Sequence, residues 1–482
     1  VTGGSNTAIG KNALTANTSG ETNTALGSDA LKSVISGNGN TAVGVQALED
    51  NTGSSNTAVG QASFRENTSG TNGTALGMFA LKLNTTGSNN TAVGNESLEA
   101  NTTASNNTAV GYQALTANTT GNQNVAVGAE ALDANTTGAN NTSIGDSTLS
   151  ANTTASNNTA VGRAALNANT TGQQNTALGS LSLIANTTGG FNTAIGSESL
   201  EANTTAANNT ALGWRSLHRN TTGASNTAVG KGALEANTTA NNNTAVGREA
   251  LADNTTGINN TGIGYFCLDA NTTGSGNTGV GRLCLSGNTT ADNNTAVGLA
   301  ALKANTTGAT NTAVGTNALL ANTTGDFNTC VGNAAGDNIT TGSNNVILGH
   351  DSNCSSATAS NEVVLGGAGI ATLRCNTQTI SSLSDARDKT NVIDLPEGLD
   401  FITNLRPVKF EWATRDGNGK DGSSEHGFIA QDLQKAQKDN NADYLNMVLD
   451  ENPDRLEASY GKLVPILVNA IKELSAKVTA LE

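Results

Sequence analysis

A 17-residue repeat fills most of this chain and limits what it can fold into. The sequence Asn-Thr-Ala-Val-Gly at 107–111 returns in 21 copies that begin between Asn6 and Asn345, with a single 16-residue step from Asn40 to Asn56. The consensus is N-T-A-V-G-x-x-A-L-x-A-N-T-T-G-x-x, and we number its positions 1 to 17. A unit this small cannot bury an apolar face alone, whereas stacked copies can.

Within each repeat, two short apolar pairs alternate with turn residues. In one copy they are Ala109-Val110 and Ala114-Leu115, and Gly or Asn bounds both. Such runs predict short strands, because Asn-Thr-Thr-Gly interrupts every window that a helix would need. Like residues would stack about 4.8 Å apart, which predicts a parallel β-solenoid on the order of 100 Å tall. We expect Asn ladders at two positions, glycines at the corners and a degenerate last copy from Asn361.

The adjacent apolar residues also predict an oligomer. Neighbours in a strand face opposite sides, so each pair would place one apolar residue inside the solenoid and one outside. A second apolar face repeated along the shaft exceeds what a monomer normally exposes. We therefore expect a homotrimer of solenoids packed around an axis. The alternative is that the outer residue lies flat against a turn.

Composition excludes several classes of protein. Hydrophobic residues are 36% and aromatic residues 3%, so most of the chain lacks the large side chains of a thick core. The net charge of −15 argues against nucleic-acid binding. The sequence contains no stretch of about 20 apolar residues, so it predicts no membrane span. The chain opens inside the repeat at Val1, and we expect an upstream anchor to a virion or a cell.

The repeat sequence shows no pattern typical of a catalytic site, and we expect no cofactor or metal site. Asn-Thr-Thr matches a glycosylation sequon, but we interpret it as corner structure because the repeat itself requires it. Ice binding by stacked threonines is a further alternative. Cys267 and Cys284 fall one repeat apart within disulfide range, although such pairs are more often small buried apolar groups. Neither they nor the other cysteines are assigned a role: Cys330, Cys354 and Cys375.

Single aromatic residues lie at variable positions of the repeat and could contact a sugar or another receptor: Tyr112, Phe191, Trp214, Tyr265 and Phe266. The shaft repeat resembles that of the head domains of trimeric autotransporter adhesins, which carry an A-V/I-G-x-x-A unit. The resemblance implies a trimeric, left-handed parallel β-roll. The motif style is also similar to that of long phage and bacterial fibres.

The composition changes near residue 376. We assign residues 1–366 to the shaft, 367–383 to its end and a linker, and 384–482 to a small, mostly helical domain with an ordinary globular composition. Its pattern predicts a helix from Leu395-Pro396-Glu397, a strand over 408–412, a turn at 416–419 and a helix over 428–439.

The last segment carries a heptad pattern. Its apolar residues step by three and four and predict a coiled-coil helix over about 464–482. The alternative is one amphipathic helix that packs on its own domain. The seam consists of Val464, Leu467, Ile471, Leu474, Val478 and Leu481.

The C-terminal domain resembles the intramolecular chaperone of endosialidase tailspikes, a self-cleaving peptidase family. The resemblance covers roughly 380–482 and rests on Ser-Asp-Ala-Arg-Asp-Lys at 384–389, Leu-Arg-Pro-Val-Lys-Phe at 405–410 and Gly-Phe-Ile-Ala-Gln at 427–431. It continues with Tyr460, Leu463, Pro465 and 470–474. The resemblance implies a domain that assembles a trimeric fibre and then cuts itself off.

It further implies Ser384 as nucleophile, Lys389 as base and a scissile bond between Leu383 and Ser384. A lysine acts as a base only when neutral, which requires burial. His426, with Glu425, is a further candidate for orienting the pair, and a structural role for it is the alternative. Without the resemblance, Ser384 would be interpreted as a helix N-cap and Lys389 as a solvated side chain.

The sequence thus predicts a trimeric phage tail fibre or spike shaft for host attachment, located in the virion, with single-turnover autoproteolysis. A bacterial surface adhesin of the same design is the alternative. A polysaccharide depolymerase is disfavoured because the shaft lacks paired acids. The partners that we expect are two further copies of the chain and a surface receptor, for which a glycan is the candidate.

Overall fold

A computed structural model describes residues 3–367, 370, 384–413, 422–450 and 456–481. The repeats form a parallel β-solenoid, as predicted, in which each repeat contributes one three-residue strand at positions 2 to 4. Strands β1 to β22 are Thr7–Ile9, Thr24–Leu26, Thr41–Val43, Thr57–Val59, Thr74–Leu76, Thr91–Val93, Thr108–Val110, Val125–Val127, Thr142–Ile144, Thr159–Val161, Thr176–Leu178, Thr193–Ile195, Thr210–Leu212, Thr227–Val229, Thr244–Val246, Thr261–Ile263, Thr278–Val280, Thr295–Val297, Thr312–Val314, Thr329–Val331, Val346–Leu348 and Val363–Leu365.

Two buried amide ladders run through the solenoid at positions 1 and 12, as the sequence predicts. Asn107 and Asn118 are fully buried. The Oδ1 of Asn107 accepts the backbone N–H of Asn124 on the next rung at 2.8 Å, and Asn118 Nδ2 donates to Asn101 Oδ1 on the previous rung at 2.9 Å. Both side chains also donate to the Gly121 carbonyl at 3.0 Å. Each rung is thereby closed on itself and joined to its neighbours.

The hydrogen bonds of the ladder also bear on whether the Asn-Thr-Thr sequence can be glycosylated. The asparagine at position 12 is buried, and the threonine after it hydrogen-bonds to the next rung, as Thr119 Oγ1 does to the Thr136 carbonyl at 3.0 Å. An amide enclosed in this way cannot carry a glycan in the folded shaft. The burial therefore supports our interpretation of the sequon as corner structure.

The prediction that both apolar pairs form strands with opposite faces was wrong for the second pair. Ala114 and Leu115 are both fully buried, in a turn rather than a strand. Leu115 takes a φ of +56°, and its N–H donates to the Ala131 carbonyl on the next rung at 2.9 Å. A left-handed residue breaks the alternation of an extended chain, so both side chains of the pair point inward.

The first pair does separate as predicted. Ala109 is fully buried and Val110 is partly exposed, and this arrangement recurs along the shaft. The aliphatic side chains at position 4 thus form one outward-facing apolar row. Its most exposed members include Ile9, Leu26, Leu76, Ile144, Leu178, Leu212, Ile263, Val297, Val314, Val331, Leu348 and Leu365. A glycine follows the row at position 5 because the backbone turns there: Gly111 has a φ of +141°, and a Cβ would lie 2.6 Å from the Gly128 carbonyl carbon.

The last copy begins one residue later than predicted. Val363 pairs with Val346, which is a 17-residue step, and Glu362 rather than Asn361 takes position 1. The Glu362 N–H donates to Asn345 Oδ1 at 2.9 Å, as an asparagine in that slot would. The backbone alone therefore continues the ladder where the side chain has changed.

The described part of the C-terminal region holds three α-helices, α1 (Leu399–Thr403), α2 (Ala430–Asp439) and α3 (Leu463–Thr479). It also holds two antiparallel pairs, β23 (Val408–Glu411) with β24 (Ser424–Gly427) and β25 (Val448–Leu449) with β26 (Glu457–Ala458). The helices α1 and α2 begin a few residues after the predicted starts, and the predicted turn at 416–419 lies outside the described residues. The core of this region consists of Phe401, Leu433, Ala442, Met447, Val448, Leu463 and Ile466.

One rung shows how the solenoid core tolerates a larger side chain. Phe64 replaces the usual leucine at position 9 and is fully buried. In the next repeat, Gly73 replaces the usual asparagine at position 1, and a Cβ there would lie 2.6 Å from Phe64 Cζ. The missing amide side chain therefore makes room for the ring.

We expect Gly73→Asn, although it restores the consensus, to destabilise the shaft by roughly 1–3 kcal/mol through overpacking against Phe64. Adding Phe64→Leu should remove that cost, because the ring would no longer fill the slot. Urea unfolding of the two single variants and the double variant measures the coupling. A fully additive cycle would contradict the exchange of volume between these positions.

Candidate self-cleavage site and assembly helix

A short turn at the start of the C-terminal domain brings Ser384 and Lys389 together. Residues Ala386–Asp388 form one turn of 3₁₀ helix, and Asp385 caps it by accepting the Arg387 N–H at 2.9 Å. Because the chain reverses here, Lys389 Nζ lies 2.7 Å from Ser384 Oγ and 3.3 Å from the Ser384 carbonyl. Five residues of separation do not ensure this contact, and the turn supplies it.

Two residues that sequence reasoning did not single out hold the turn. The Arg387 guanidinium donates to both carboxylate oxygens of Asp385, from Nε at 3.0 and 3.1 Å and from Nη2 at 2.5 Å. These bonds lower the pKa of the Asp385 carboxyl. The two residues occupy the second and fourth places of the Ser-Asp-Ala-Arg-Asp-Lys element, so the motif itself was the available signal. Their role is to position Ser384 and Lys389.

The segment around this pair is exposed throughout. Every residue from Ser384 to Asp394 is exposed, including the apolar Val392 and Ile393 at 76% and 84%. In this geometry Lys389 Nζ donates a hydrogen bond to Ser384 Oγ. A neutral lysine at this place requires a cover that excludes water. Leu383, on the other side of the predicted scissile bond, lies outside the described residues.

His426 and Glu425 do not join the pair. His426 is an exposed residue of β24 opposite Lys409, and no hydrogen bond links it to Ser384 or Lys389 among the described residues. Glu425 instead accepts a hydrogen bond from Trp412 Nε1 at 2.6 Å across the same strand pair. The structure thus ties these residues to the β23–β24 hairpin.

The Gly-Phe-Ile-Ala-Gln element leads into α2 and is held by Tyr460. The tyrosine oxygen accepts the Phe428 N–H at 3.2 Å and donates to the Phe428 carbonyl at 3.3 Å. Gly427 lets the two segments approach, since a Cβ there would lie 2.6 Å from that oxygen. This contact joins two parts of the resemblance that are distant in the sequence.

Helix α3 has two apolar faces with different surroundings. Leu463, Ile466 and Ala470 are buried in the domain core. On the same helix, Asn469 Nδ2 donates to the Leu395 and Glu397 carbonyls at 2.8 and 3.0 Å, and Glu473 accepts the Leu399 N–H of α1 at 2.8 Å. These contacts fix α3 on the domain.

All six residues of the predicted heptad seam are exposed. Their exposed fractions run from 41% at Leu467 to 88% at Leu481, and Ile471 is 65% exposed. The helix does pack on its own domain, through Leu463, Ile466 and Ala470, and the six seam residues take no part in that interface. The helix therefore presents an apolar row that the described part of the chain leaves uncovered. None of the helices in the described part of the chain has the length and apolarity needed to cross a membrane.

Three of the exposed aromatic residues share one of the variable positions of the repeat. Tyr112, Trp214 and Tyr265 all lie at position 6, directly after the corner glycine. On five successive rungs this position carries what we name the position-6 ladder: Trp214, Lys231, Arg248, Tyr265 and Arg282.

The cations of this ladder lie over the aromatic rings. Lys231 Nζ is 4.8 Å from the centroid of the Trp214 ring, and the guanidinium carbons of Arg248 and Arg282 are 5.6 and 5.9 Å from that of Tyr265. Arg248 also pairs with Glu249 at 3.0 Å. Of the 21 residues at position 6, only Asp146 is acidic. An otherwise acidic shaft therefore carries one basic and aromatic strip.

Residues 384–441 match the family model described as chaperone of endosialidase, a peptidase family. The match begins at Ser384, and residues beyond 441, including the Tyr460 and Ala470–Leu474 elements of the resemblance, lie outside it. No curated protein and no solved structure matches the chain. A segment similar to this family thus follows a β-solenoid shaft, and the match implies self-cleavage at most.

Proposed function

We propose that the chain is a homotrimeric fibre whose C-terminal domain aligns three chains and then cuts itself off. The observation that carries this proposal is the uncovered apolar row of α3, since a heptad seam of exposed aliphatic residues is stable only when other helices cover it. The apolar row at position 4 of the shaft supports the same assembly. The match to a chaperone family supports the role of the domain.

The cut follows from the placement of Ser384 and Lys389. When neighbouring chains cover the exposed 384–394 segment, water is excluded and the neutral lysine becomes accessible. Lys389 then takes the Ser384 hydroxyl proton while Oγ attacks the Leu383 carbonyl carbon. The C–N bond breaks, the amide nitrogen gains the proton, and an ester joins Leu383 to Oγ. Water hydrolyses the ester, which leaves a carboxylate on Leu383 and a free Ser384.

We expect Ser384→Ala and Lys389→Arg each to lower the rate of cleavage at least about 100-fold. The arginine keeps the charge and the hydrogen bond but cannot become neutral, so it separates a base from a positioning role. Lys435→Ala, which removes an exposed lysine of α2, is the matched control. Intact-mass analysis of freshly folded protein should show 384–482 as a separate fragment in the wild type and the control alone. Cleavage by Lys389→Arg at the wild-type rate would disprove the assigned base.

The assembly is tested in the uncut Ser384→Ala chain. Ile471→Asp places a charge in the exposed seam and should prevent trimer formation, because the charge would be buried between helices. Ala476→Asp adds the same charge at an exposed position of α3 outside the seam and should leave the trimer intact. Light scattering should give about three times 48.2 kDa for the control. A trimer that tolerates Ile471→Asp would contradict the role of the seam.

A second role, attachment to a carbohydrate surface, is favoured by the position-6 ladder. Aromatic faces stack on sugar rings, and guanidinium groups bind carboxylates, so the strip fits an acidic polysaccharide. The ladder lies beyond the corner glycine, at a separate position from the apolar row assigned to trimer contact. We infer a phage tail fibre that attaches to a host surface, and a bacterial surface adhesin is the alternative that the same features allow.

Trp214→Ala should weaken binding to an acidic polysaccharide such as alginate by about tenfold, since it removes a stacking face and the partner of Lys231. Tyr112→Ala is the matched control, because Tyr112 occupies the same position between Asn95 and Ala129, away from the ladder. Binding is measured by co-sedimentation of the folded shaft, with neutral dextran as reference. An equal loss in both variants, or binding to neither polymer, would contradict this surface.

A further inference from the structure

Two buried cysteines lie in contact on neighbouring rungs of the shaft. Cys267 and Cys284 occupy position 8 of successive repeats, and both are fully buried. The neighbouring Cys284 thiol and burial raise the pKa of the Cys267 thiol, and the Cys284 thiol donates to the Ala296 carbonyl at 3.1 Å. Both are present as free thiols. Position 8 is otherwise alanine, serine or threonine in the repeats.

The same two repeats differ from the others at position 3. Gly262 and Gly279 are the only glycines at that position in the 21 copies. A Cβ on Gly279 would lie 2.6 Å from Cys267 Sγ, and one on Gly262 would lie 3.3 Å from the Leu251 side chain. Gly279 thus clears interior space beside the Cys267 sulfur that an alanine would occupy. Glycine at position 3 and cysteine at position 8 occur together in these two repeats and in no other of the 21 copies.

The backbone holds the pair at a separation that suits a covalent bond. Gly262 pairs with Gly279 in the parallel sheet, and the Leu268 N–H donates to the Cys284 carbonyl at 2.9 Å. Equivalent residues of adjacent rungs lie about 4.8 Å apart, within the range of about 4.4–6.8 Å between the Cα atoms of a disulfide. Cys330 and Cys354, by contrast, occupy positions 3 and 10 of their repeats, so the stacking does not align them.

We propose that Cys267 and Cys284 form an inter-rung disulfide when the shaft folds in the presence of a disulfide oxidant. One thiolate attacks the oxidant disulfide, a mixed disulfide forms, and the second thiolate displaces the remaining oxidant thiol. Two protein thiols and one oxidant disulfide thus give one protein disulfide and two oxidant thiols. Because both sulfurs are enclosed in the finished shaft, the exchange takes place before the neighbouring rungs close over them.

The bond would fix the order of stacking. The repeats are nearly identical, so a rung that pairs one repeat out of place loses few contacts. A disulfide between these cysteines is compatible only with the pairing of β16 and β17. The pair would therefore act as a register lock about three quarters of the way along the shaft, independently of the C-terminal domain.

The test refolds the full chain from urea in reduced or oxidised glutathione. Remaining thiols are then alkylated under denaturing conditions, and the cysteine-containing peptides are mapped by mass spectrometry. In oxidised glutathione we expect Cys267 and Cys284 as one cross-linked pair, with Cys330 and Cys354 alkylated. In reduced glutathione all five cysteines of the chain, Cys375 included, should be alkylated. Quantitative alkylation of Cys267 and Cys284 after oxidative refolding would overturn the proposal.

Two single-cysteine substitutions serve as controls in case either sample refolds poorly. Cys267→Ser and Cys284→Ser should fold, because serine fills position 8 elsewhere, as Ser63 does with its hydroxyl bonded to the Gly60 carbonyl at 3.0 Å. Each variant should leave the remaining cysteine of the pair free. Pairing of that cysteine with Cys330 or Cys354 would show that proximity on adjacent rungs does not select the bond, which would also overturn the proposal.

Discussion

The buried amide ladders are the interaction on which the shaft depends. An unpaired amide inside a protein costs roughly 1–3 kcal/mol, so an asparagine enclosed on every rung is tolerable only if each rung supplies the partners of the next. Asn107 and Asn118 meet this condition by sharing the Gly121 carbonyl within a rung and by bonding to the rungs on either side. Stacking in register follows, because a shift along the strand would leave these amides unpaired.

The apolar side chains of the interior pack in the space that the amide ladders leave. With alanine and leucine as its usual apolar residues, the core has little spare volume, and a larger side chain requires a smaller one nearby. Phe64 with Gly73, Cys267 with Gly279, and Cys330 with Gly336 are three instances, and in each a Cβ on the glycine would overlap the larger side chain. Departures from the consensus are therefore coupled within and between rungs, and single restorations of the consensus should be harmful.

The C-terminal domain joins a reactive turn to an uncovered helix. The turn holds Ser384 and Lys389 in contact but leaves them in water, and α3 leaves its heptad row without a partner. The association of chains would remove both the exposure of the Ser384–Lys389 pair to water and the exposure of the heptad row. On our proposal, cleavage is thereby coupled to assembly, since the environment that a lysine base requires exists only after trimer formation.

The sequence alone determined the parallel solenoid, the two Asn ladders, the strand at β23 and the residues of the heptad row, because these depend on periodicity. Tertiary structure decided that Ala114 and Leu115 face the same side, since a left-handed φ at leucine overrides strand alternation. It decided that Glu362 begins the last rung, because the backbone N–H carries the ladder there. The contact of Ser384 with Lys389 also depended on it, because the Asp385–Arg387 turn sets that distance and residue spacing does not.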